Sequence, residues 1–369
     1  MSRPDALLLT GVTGFLGTEL LARQLERSDR PIIALVRADS DEAAGNRVRH
    51  VLENISGAEA RAHAARVEAV AGDLTAPDLG LALSRREALA ERLTTIVHSA
   101  ASVSFALPLE EARAINVDGT RRMLELAELA QARGGLRCYG HVSTAYVAGT
   151  HAGGFGERDL DVGQSFHNTY EQTKYEAEQL VRAQRGLPYT VLRPSIVVGD
   201  RRSGWTSAFN VLYWPLRAFA RGLLRAVPAI PSAPVDVVSV DYVADAIHEL
   251  CASTRGAGET FHLTAGADAS TIGEIVQLAS RYFRRPLPRV LPPAEFAALD
   301  GGVTPEGSSV YFPYFALGAV FEDAATRARL APAGIEVSPL REYLERLLDF
   351  ATRSRWGKRP IARAEALAA

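Results

Sequence analysis

The sequence predicts an α/β protein built on a doubly wound parallel sheet. Three observations support this fold class. Short apolar runs alternate with amphipathic segments from residue 6 to about residue 199, a glycine-rich loop directly follows the first run, and several later runs end in small or polar residues. Strands that alternate with helices form parallel sheets, and ligands bind such sheets at the carboxyl ends of the strands.

Composition restricts the classes of function. The chain has 369 residues, 47% of them hydrophobic and 23% charged, which suits one large globular α/β domain or a domain with a smaller lobe. The net charge of −2 gives no reason to expect nucleic acid. Cys138 and Cys251 follow no metal-ligand spacing, so we expect neither a disulfide framework nor a metal site. With no secretory signal and no long apolar window, the sequence predicts a cytoplasmic protein.

The first strand and its loop predict a dinucleotide site. Residues 6–10 form the strand, glycines follow with the spacing Gly-x-x-Gly-x-x-Gly, and an amphipathic helix extends to Arg27. Such a loop lets the backbone approach a pyrophosphate, whose charge then lies at the positive end of the helix. The predicted cofactor-binding residues of this loop are Gly11, Thr13, Gly14, Phe15, Leu16 and Gly17.

The end of the second strand, residues 31–36, bears on cofactor choice. Proteins that prefer NAD place Asp or Glu there, but this chain has Arg37. An arginine favours a 2′-phosphate and hence NADPH, and Arg47 could assist. The alternative is a solvent-facing arginine, since Asp39 and Asp41 are close in sequence.

Two further strands end at the same predicted edge. The third, residues 67–74, ends in Asp73 and Leu74, where the acid either binds the adenine amino group or caps a turn. The fourth, residues 95–101, ends in Ala100 and Ala101, whose small side chains leave room for a cofactor. Asn116 then begins a helix predicted over residues 115–133.

Tyr170 and Lys174 are the candidate catalytic pair. On a helix they lie one turn apart on the same face, and a nearby ammonium lowers the pKa of a phenol from about 10. The alternative is an ordinary surface helix. Ser143 and Thr144 end the strand over residues 137–147, and either hold a carbonyl oxygen against Tyr170 or cap a loop. His141 and Tyr146 are assigned mostly to packing.

The next strand, residues 189–199, should end at Pro194 and open a cofactor-side loop that includes Ser195 and Ile196. With it the order of motifs becomes recognisable over about two thirds of the chain: the chain resembles the extended short-chain dehydrogenases/reductases. The motifs are Gly11-x-x-Gly14-x-x-Gly17, Asp73-Leu74, Asn116-Val117-x-Gly119-Thr120, Ser143-Thr144, Tyr170-x-x-x-Lys174 and Arg193-Pro194-Ser195. Residues 10–17, 35–38, 141–147 and 236–243 are most similar to the thioester reductase and fatty acyl-CoA reductase branch, which includes the reductase domains of carboxylic acid reductases and nonribosomal peptide synthetases.

The resemblance implies a Rossmann-type fold and roles for matching residues. Tyr170 would donate the proton, and Lys174 would lower the pKa of Tyr170 and hold the nicotinamide ribose. Thr144, or else Ser143, would bind the substrate carbonyl. Asn116 would lie near the active site, with a structural role at a helix start equally open.

Residues 207–225 are apolar and aromatic, with Arg217, Arg221 and Arg225 at every fourth position. As a basic amphipathic helix they could bind a membrane surface, an acidic carrier protein or the phosphates of coenzyme A, or form a lid with solvated arginines. Residues 310–315 are dense in aromatics and either cover the substrate or pack in a core. The tail beyond residue 353 is predicted to fray.

The expected organisation is an NADP-binding domain over residues 1–200, rejoined by 236–265, and a substrate-binding lobe over 201–235 and 266–369. The expected function is NADPH-dependent reduction of an acyl-CoA or carrier-bound acyl thioester to an aldehyde and, in a second reduction, an alcohol. The alternatives are a reductase or epimerase of the same fold acting on a ketone, sterol or sugar nucleotide, and a non-catalytic NADP-binding regulator. The oligomeric state is left open.

Overall fold

The computed structural model describes residues 5–209, 211–224, 226–253, 256–292, 295–296, 314 and 318–369. Its strands are β1 (Ala6–Thr10), β2 (Ile32–Val36), β3 (Val67–Ala71), β4 (Leu93–His98), β5 (Cys138–Val142), β6 (Gly153–Phe155), β7 (Tyr189–Pro194), β8 (Ile196–Val198), β9 (Ala226–Pro228), β10 (Pro234–Val235), β11 (Val237–Ser239), β12 (Glu259–Leu263), β13 (Ser270–Thr271), β14 (Arg289–Leu291) and β15 (Ala319–Phe321). Its α-helices are α1 (Phe15–Arg27), α2 (Asp41–Ser56), α3 (Ala60–Ala64), α4 (Leu83–Ala90), α5 (Leu109–Gly134), α6 (Thr169–Arg182), α7 (Tyr213–Ala220), α8 (Val240–Ala252), α9 (Ile272–Phe283), α10 (Ala324–Leu330), α11 (Leu344–Arg353) and α12 (Arg363–Ala368). Short 3₁₀ helices cover Gly57–Glu59, Pro77–Gly80, Ala145–Ala148, Gly266–Asp268, Ala331–Ala333 and Leu340–Glu342.

Seven parallel strands form the main sheet in the order β3-β2-β1-β4-β5-β7-β12. Strand β1 is central, with Leu9 between Ala34 of β2 and Val97 of β4. From β1 the chain adds β2 and then β3 on one side. It then crosses to the other side of β1, where β4, β5, β7 and β12 follow in turn. The strand order therefore reverses between β1 and β4. A crevice for a ligand opens at such a reversal. The predicted doubly wound parallel sheet is confirmed.

Apolar cores lie on both faces of this sheet. On β1, Leu7 and Leu9 pack into one core with residues of α1, α2 and α8, while Leu8 packs into the other with residues of α4, α5 and α6. Successive side chains of a strand point to opposite faces, so a strand covered on both sides must be apolar throughout. This is why residues 6–10 form a continuous apolar run.

A third core belongs to a smaller lobe. It gathers residues of α7, α9 and α11 around short strand pairs: β8 with β11, β9 with β14, β10 with β13, and β6 with β15. The segment after residue 236 is divided between the two parts, because β11 pairs with β8, whereas α8 packs against the main sheet.

The helix predicted over residues 207–225 is wrong in extent. Among the described residues of this segment, Tyr213–Ala220 alone is helical; Arg221 caps its end, and Gly222 follows with φ of +73°. Arg217 lies in this helix and Arg221 caps it, with the Arg221 N–H bonded to the Arg217 carbonyl oxygen at 3.2 Å, whereas Arg225 lies outside the described residues. Over the described residues of this segment, the helix proposed as a membrane or carrier contact is therefore limited to Tyr213–Ala220 and its cap.

The predicted frayed tail is also wrong. Residues Arg363–Ala368 form α12, and the buried Arg363 guanidinium donates from Nε to Glu19 Oε1 over 2.6 Å. Because Glu19 lies on α1, this ion pair ties the C-terminal helix to the main sheet.

Candidate active site

A cleft of about 1110 Å³ lies at the carboxyl edge of the main sheet. The segments that follow β1, β2, β3, β4, β5 and β7 form its walls. The structure brings all but one of the sequence-predicted site residues to this cleft: Gly11, Thr13, Gly14, Phe15, Leu16, Gly17, Arg37, Arg47, Asp73, Leu74, Ala100, Ala101, Ser143, Thr144, Tyr170, Lys174, Pro194, Ser195 and Ile196. Asn116 is the exception.

The glycine loop is shaped to receive an anion. Gly11 has φ of +79°, and a Cβ there would lie 2.9 Å from the Ala100 nitrogen. A Cβ on Gly17 would lie 1.9 Å from the Gly11 carbonyl oxygen, so no larger residue fits. Helix α1 starts after Gly14 without a side-chain cap and has no acid in its first turn. Its free N–H groups therefore fit a pyrophosphate.

Hydrogen bonds hold the ends of β1 and β4 together beside this loop. The Thr10 hydroxyl accepts from the Ser99 and Ala100 N–H groups at 3.1 and 3.0 Å. It also bonds to Nδ1 of His98 at 2.9 Å. The walls of the crevice are thus fixed before any ligand binds.

Two exposed arginines line the end of the cleft next to β2. Arg47 donates to the Arg37 carbonyl oxygen and, at 3.4 Å, to the Thr13 hydroxyl. Neither Asp39 nor Asp41 lines the cleft, and Asp41 Oδ1 instead accepts from the Ala71 N–H at 2.8 Å. Arg37 and Arg47 therefore bring two positive charges to this end of the cleft, where the Asp73 carboxylate also lies near Arg37.

Asp73 caps a turn at the end of β3. Its Oδ1 accepts from the N–H and the hydroxyl of Thr75, both at 2.8 Å. The Thr75 backbone N–H is the main contribution that holds the pKa of Asp73 below its usual value. The other carboxylate oxygen, Oδ2, is not part of this turn.

Helix α6 carries the candidate catalytic pair. It begins where the Asn168 side chain accepts from the Glu171 N–H at 3.0 Å, which places Tyr170 and Lys174 on the turns that face the cleft. The Lys174 ammonium donates from Nζ to the Val142 carbonyl oxygen at 2.7 Å. The Thr144 side chain lies close enough to the Tyr170 hydroxyl to affect its pKa. The Thr144 hydroxyl accepts from the Tyr146 N–H at 3.2 Å and donates to the Pro194 carbonyl oxygen at 3.4 Å.

In this structure the pKa of Tyr170 is raised rather than lowered. Burial raises the pKa of Tyr170 to about 12, and the Thr144 side chain only partly offsets burial. Burial also lowers the pKa of Lys174 to about 8, with Glu178 opposing the shift. Lys174 is bonded to the Val142 carbonyl, and Tyr170 remains a neutral phenol at pH 7. A neutral phenol is a proton donor.

Ser143 and Thr144 have different environments. The Ser143 hydroxyl donates to Oε2 of Glu178 at 2.7 Å, and Glu178 is fully buried. Arg193 and Arg182 also bind this carboxylate, at 2.7 and 2.8 Å. Ser143 lines the cleft, but its hydroxyl proton is donated to the buried Glu178 carboxylate rather than directed at a ligand.

Asn116 lies inside α5, which begins at Leu109, so the predicted helix start is wrong. Its side-chain oxygen accepts from the Ser102 N–H at 2.8 Å. Its side-chain amide donates to the Ser102 carbonyl oxygen at 3.0 Å and to the Thr173 hydroxyl at 2.9 Å. Asn116 thereby connects the segment after β4 to the helix of Tyr170.

Phe105, Tyr146 and Tyr314 form an aromatic wall of the cleft. Sequence reasoning missed Phe105, whereas Tyr314 lies in the segment predicted either to cover the substrate or to pack in a core. The Tyr314 ring lies 5.3 Å from Phe105 and 5.1 Å from Tyr146, and Phe105 lies 5.8 Å from the Tyr170 ring. Tyr146 was assigned to packing. The small residues before Phe105 were a signal that the chain after β4 lines the cleft. Of the aromatic segment 310–315, only Tyr314 falls within the described residues.

Metal-binding and membrane-spanning features are both absent from the described part of the chain. Its His, Cys, Asp and Glu side chains form no group of three or more that could hold a metal ion. None of its helices has the length and apolar character needed to cross a membrane.

Comparison with known proteins shows the family. Residues 9–247, more than half of the chain, match the NAD-binding family described as male sterility protein. The chain belongs to this family. Its predicted place among the extended short-chain dehydrogenases/reductases, most like the thioester reductase and fatty acyl-CoA reductase branch, is confirmed.

Some of the curated proteins that are similar to this chain are much longer than it is. A linear gramicidin synthase component of Brevibacillus parabrevis is 32% identical over 270 residues, which cover 71% of this chain and 5% of the relative. A glycine betaine reductase of Emericella nidulans is 34% identical over 268 residues, which cover 70% of this chain and 21% of the relative. The chain thus spans only a small part of the length of these relatives.

A solved structure agrees over nearly the whole chain. The terminal R domain from the myxalamid PKS-NRPS biosynthetic pathway superposes with a TM-score of 0.83 at 28% identity, covering 98% of this chain and 94% of that one. The family match and this superposition together show that the chain is an NAD(P)-binding oxidoreductase with a Rossmann-type fold.

Proposed function

We propose that this chain reduces acyl thioesters to aldehydes with NADPH. The observation that carries the proposal is that Tyr170, Thr144 and Lys174 lie together in the same cleft as the glycine loop. A binding module without activity needs none of these three groups. A reductase needs a proton donor beside the site where a carbonyl meets the nicotinamide.

The residues present fit NADPH. The free N–H groups at the start of α1 suit the pyrophosphate. Arg37 and Arg47 suit a 2′-phosphate, because neither Asp39 nor Asp41 lines the cleft beside them. Lys174, which lines the same cleft, would hold the nicotinamide ribose. NADPH, when bound, supplies the hydride that reduces the carbonyl carbon.

The hydroxyls of Thr144 and Tyr170 would bind the carbonyl oxygen and stabilise the negative charge that develops on it. One such preorganised donor contributes about 3 kcal/mol in comparable sites. Tyr170 is protonated at neutral pH and would deliver its proton to that oxygen. Loss of the thiol from the resulting hemithioacetal gives the aldehyde. A second round on the aldehyde would give the alcohol.

The thioester assignment draws support from the comparisons. The similar solved structure is the terminal R domain of a PKS-NRPS pathway, and a curated relative is named a reductase. Assembly lines of this kind carry acyl groups as thioesters, so an acyl group on a carrier protein or on coenzyme A is the proposed substrate. The aromatic wall supplies an apolar surface for its acyl part.

The test is NADPH oxidation by the purified chain with acyl-CoA and acyl-pantetheine thioesters, followed by product analysis for aldehyde and alcohol. We expect Tyr170→Phe to lower kcat at least about 100-fold, as loss of a proton donor does. Tyr175→Phe is the matched control, because Tyr175 is on the same helix and does not line the cleft. Turnover of ketones or sugar nucleotides, with none of thioesters, would overturn the proposal.

A further inference from the structure

Two stretches of the sequence contain arginine but no acidic residue. Residues 201–235 and 275–294 together hold nine arginines and neither Asp nor Glu. In the whole chain Asp and Glu supply 43 of the 369 residues, and the net charge is −2. Positive charge without counter-charge is therefore concentrated in two stretches of a chain that is slightly acidic as a whole.

The structure joins these two stretches in one surface of the smaller lobe. Strand β9 pairs with β14, with Ala226 opposite Arg289. The Arg285 guanidinium donates from Nε to the Ala220 carbonyl oxygen, at the end of α7, over 2.8 Å. A Cβ added to Gly222 would lie 2.8 Å from the same guanidinium. The turn after α9 therefore lies directly against the end of α7.

This surface, the basic face, combines arginines with exposed leucines. Leu223 and Leu287 are 48% and 60% exposed. The residues that follow them, Leu224 and Pro288, line one small apolar cavity, so the two exposed leucines come from adjoining parts of the lobe surface. The arginines of the basic face are the partly exposed Arg217 and the exposed Arg221, Arg284, Arg285 and Arg289.

The basic face is complementary to an anionic membrane surface. Lipid phosphates present one sign of charge above an apolar layer, which suits arginines that lie beside leucines. The stem of an arginine packs along apolar groups while its guanidinium stays at the phosphates. A protein partner is oriented by the pattern of charges across an interface. The two stretches that form the basic face supply only one sign of charge.

We propose that the basic face binds this chain to the surface of anionic membranes. Leu223 and Leu287 enter the boundary of the apolar layer, and the arginines contact lipid phosphates. Each arginine near an anionic surface strengthens binding roughly fivefold. The inference goes beyond the proposed reduction, because the arginines and leucines of the basic face are not among the residues that line the catalytic cleft.

Vesicle co-sedimentation of the full chain tests the proposal. The probes are vesicles of equimolar phosphatidylserine and phosphatidylcholine, and vesicles of phosphatidylcholine alone. We expect the wild type to sediment with the anionic vesicles and to stay in solution with the neutral ones. Equal binding to both, or binding to neither, would overturn the inference. The assay contains no acyl substrate, so its outcome is independent of thioester reduction.

The variant Arg221→Glu/Arg284→Glu/Arg289→Glu reverses three exposed charges of the basic face. Its partition coefficient on anionic vesicles should fall roughly 100-fold or more, because three favourable contacts become repulsive. Thermal unfolding establishes that the variant is folded before it is compared with the wild type.

The matched control is Arg49→Glu/Arg61→Glu/Arg185→Glu. It makes the same change in net charge at exposed arginines outside the basic face. We expect its partition coefficient to stay within a few-fold of the wild-type value, because exposed charges more than a Debye length from the membrane are screened. Equal losses in the two triple variants would show that the vesicles respond to net charge alone, and would overturn the assignment to this face.

Leu223→Ser/Leu287→Ser keeps every arginine, and it remains informative if the basic-face variant does not fold. Loss of the two apolar side chains should weaken binding to anionic vesicles roughly tenfold. Unchanged binding would overturn the entry of the leucines into the membrane. Polyglutamate is the competing probe: binding of polyglutamate by a wild type that binds no vesicles would assign the basic face to an acidic protein and overturn the membrane contact.

Discussion

The Tyr314 hydroxyl donates a hydrogen bond of 2.5 Å to Oε1 of Glu171, the residue that follows Tyr170 on α6. The Glu171 side chain is fully buried and also accepts from the His167 N–H at 2.9 Å. Asn168 donates to the same Tyr314 hydroxyl at 2.8 Å. The first turn of the catalytic helix is therefore bonded directly to the aromatic wall of the cleft.

Tyr314→Phe should reduce stability while preserving the ring contacts with Phe105 and Tyr146. It removes a donor from a buried carboxylate, which costs about 1–3 kcal/mol. Urea unfolding at pH 7 measures the difference in the free energy of unfolding. Tyr175→Phe is the control, since Tyr175 accepts from Gln179 at 3.1 Å on the exposed side of α6, and it should change stability by at most about 0.5 kcal/mol. Similar losses in both variants would contradict the assigned role of Tyr314.

The adjacent hydroxyls Ser143 and Thr144 should have separable effects. Thr144→Ala removes the hydroxyl beside Tyr170, so kcat should fall by about 100-fold. It also removes the cap of the Tyr146 N–H, so stability should fall by about 1 kcal/mol. Ser143→Ala removes a donor to the buried Glu178 carboxylate, so stability should fall by about 1–3 kcal/mol while kcat is nearly retained. Steady-state kinetics and thermal unfolding of both variants give the comparison. A larger kcat loss in Ser143→Ala than in Thr144→Ala would reverse the assignment.

These two cases show what the sequence could and could not predict. The strands and the residues at their carboxyl ends were predictable, because local apolar runs, glycine spacing and the turn-length spacing of Tyr170 and Lys174 report local geometry. The hydrogen-bond partner of each hydroxyl was not predictable from the sequence. Ser143 bonds to a carboxylate 35 positions away, and Tyr314 to Asn168 across 146 positions. No periodic pattern encodes such contacts.

Wrong predictions have related physical causes. Residues 207–225 have helical spacing of arginines, but the chain leaves the helix at Arg221 and turns at Gly222, which has a positive φ. The tail has the composition of a frayed end, yet Arg363 pairs with Glu19 from 344 positions away. The pKa of Tyr170 depends on burial, which a sequence motif does not state.

Cofactor preference should depend on Arg37 and Arg47. Replacing either by Ala removes positive charge from the cleft end next to β2, so KM for NADPH should rise about tenfold or more while KM for NADH changes little. Arg49→Ala is the control, because Arg49 is on α2 and bonds to Asn46 without lining the cleft. Equal effects on the two cofactors would show that these arginines do not recognise a 2′-phosphate.

Lys174 should give the pH profile its alkaline limb. Burial lowers its pKa from 10.5 to about 8, so its positive charge is lost as pH rises through about 8. The pKa of Tyr170, raised to about 12, keeps the phenol protonated over the same range. Activity that requires the Lys174 ammonium should therefore decline above about pH 8. The chain has two lysines, Lys174 and Lys358, so NMR of lysine-labelled protein can follow the two side chains separately, with Lys174→Met as the assignment control.

The lowered pKa of Lys174 also determines whether the free energy of unfolding rises or falls with pH. The pKa of Lys174 is lower in the folded chain than in the unfolded chain, so the unfolded chain binds more protons between about pH 8 and 10.5. The free energy of unfolding should therefore rise with pH across that window, by about 3 kcal/mol from this one group. Lys174→Met should lose this rise, which is measured as the difference between wild-type and variant unfolding curves at each pH. Parallel pH profiles for the two proteins would mean that Lys174 titrates at its ordinary pKa, and the alkaline decline in activity would then belong to another group.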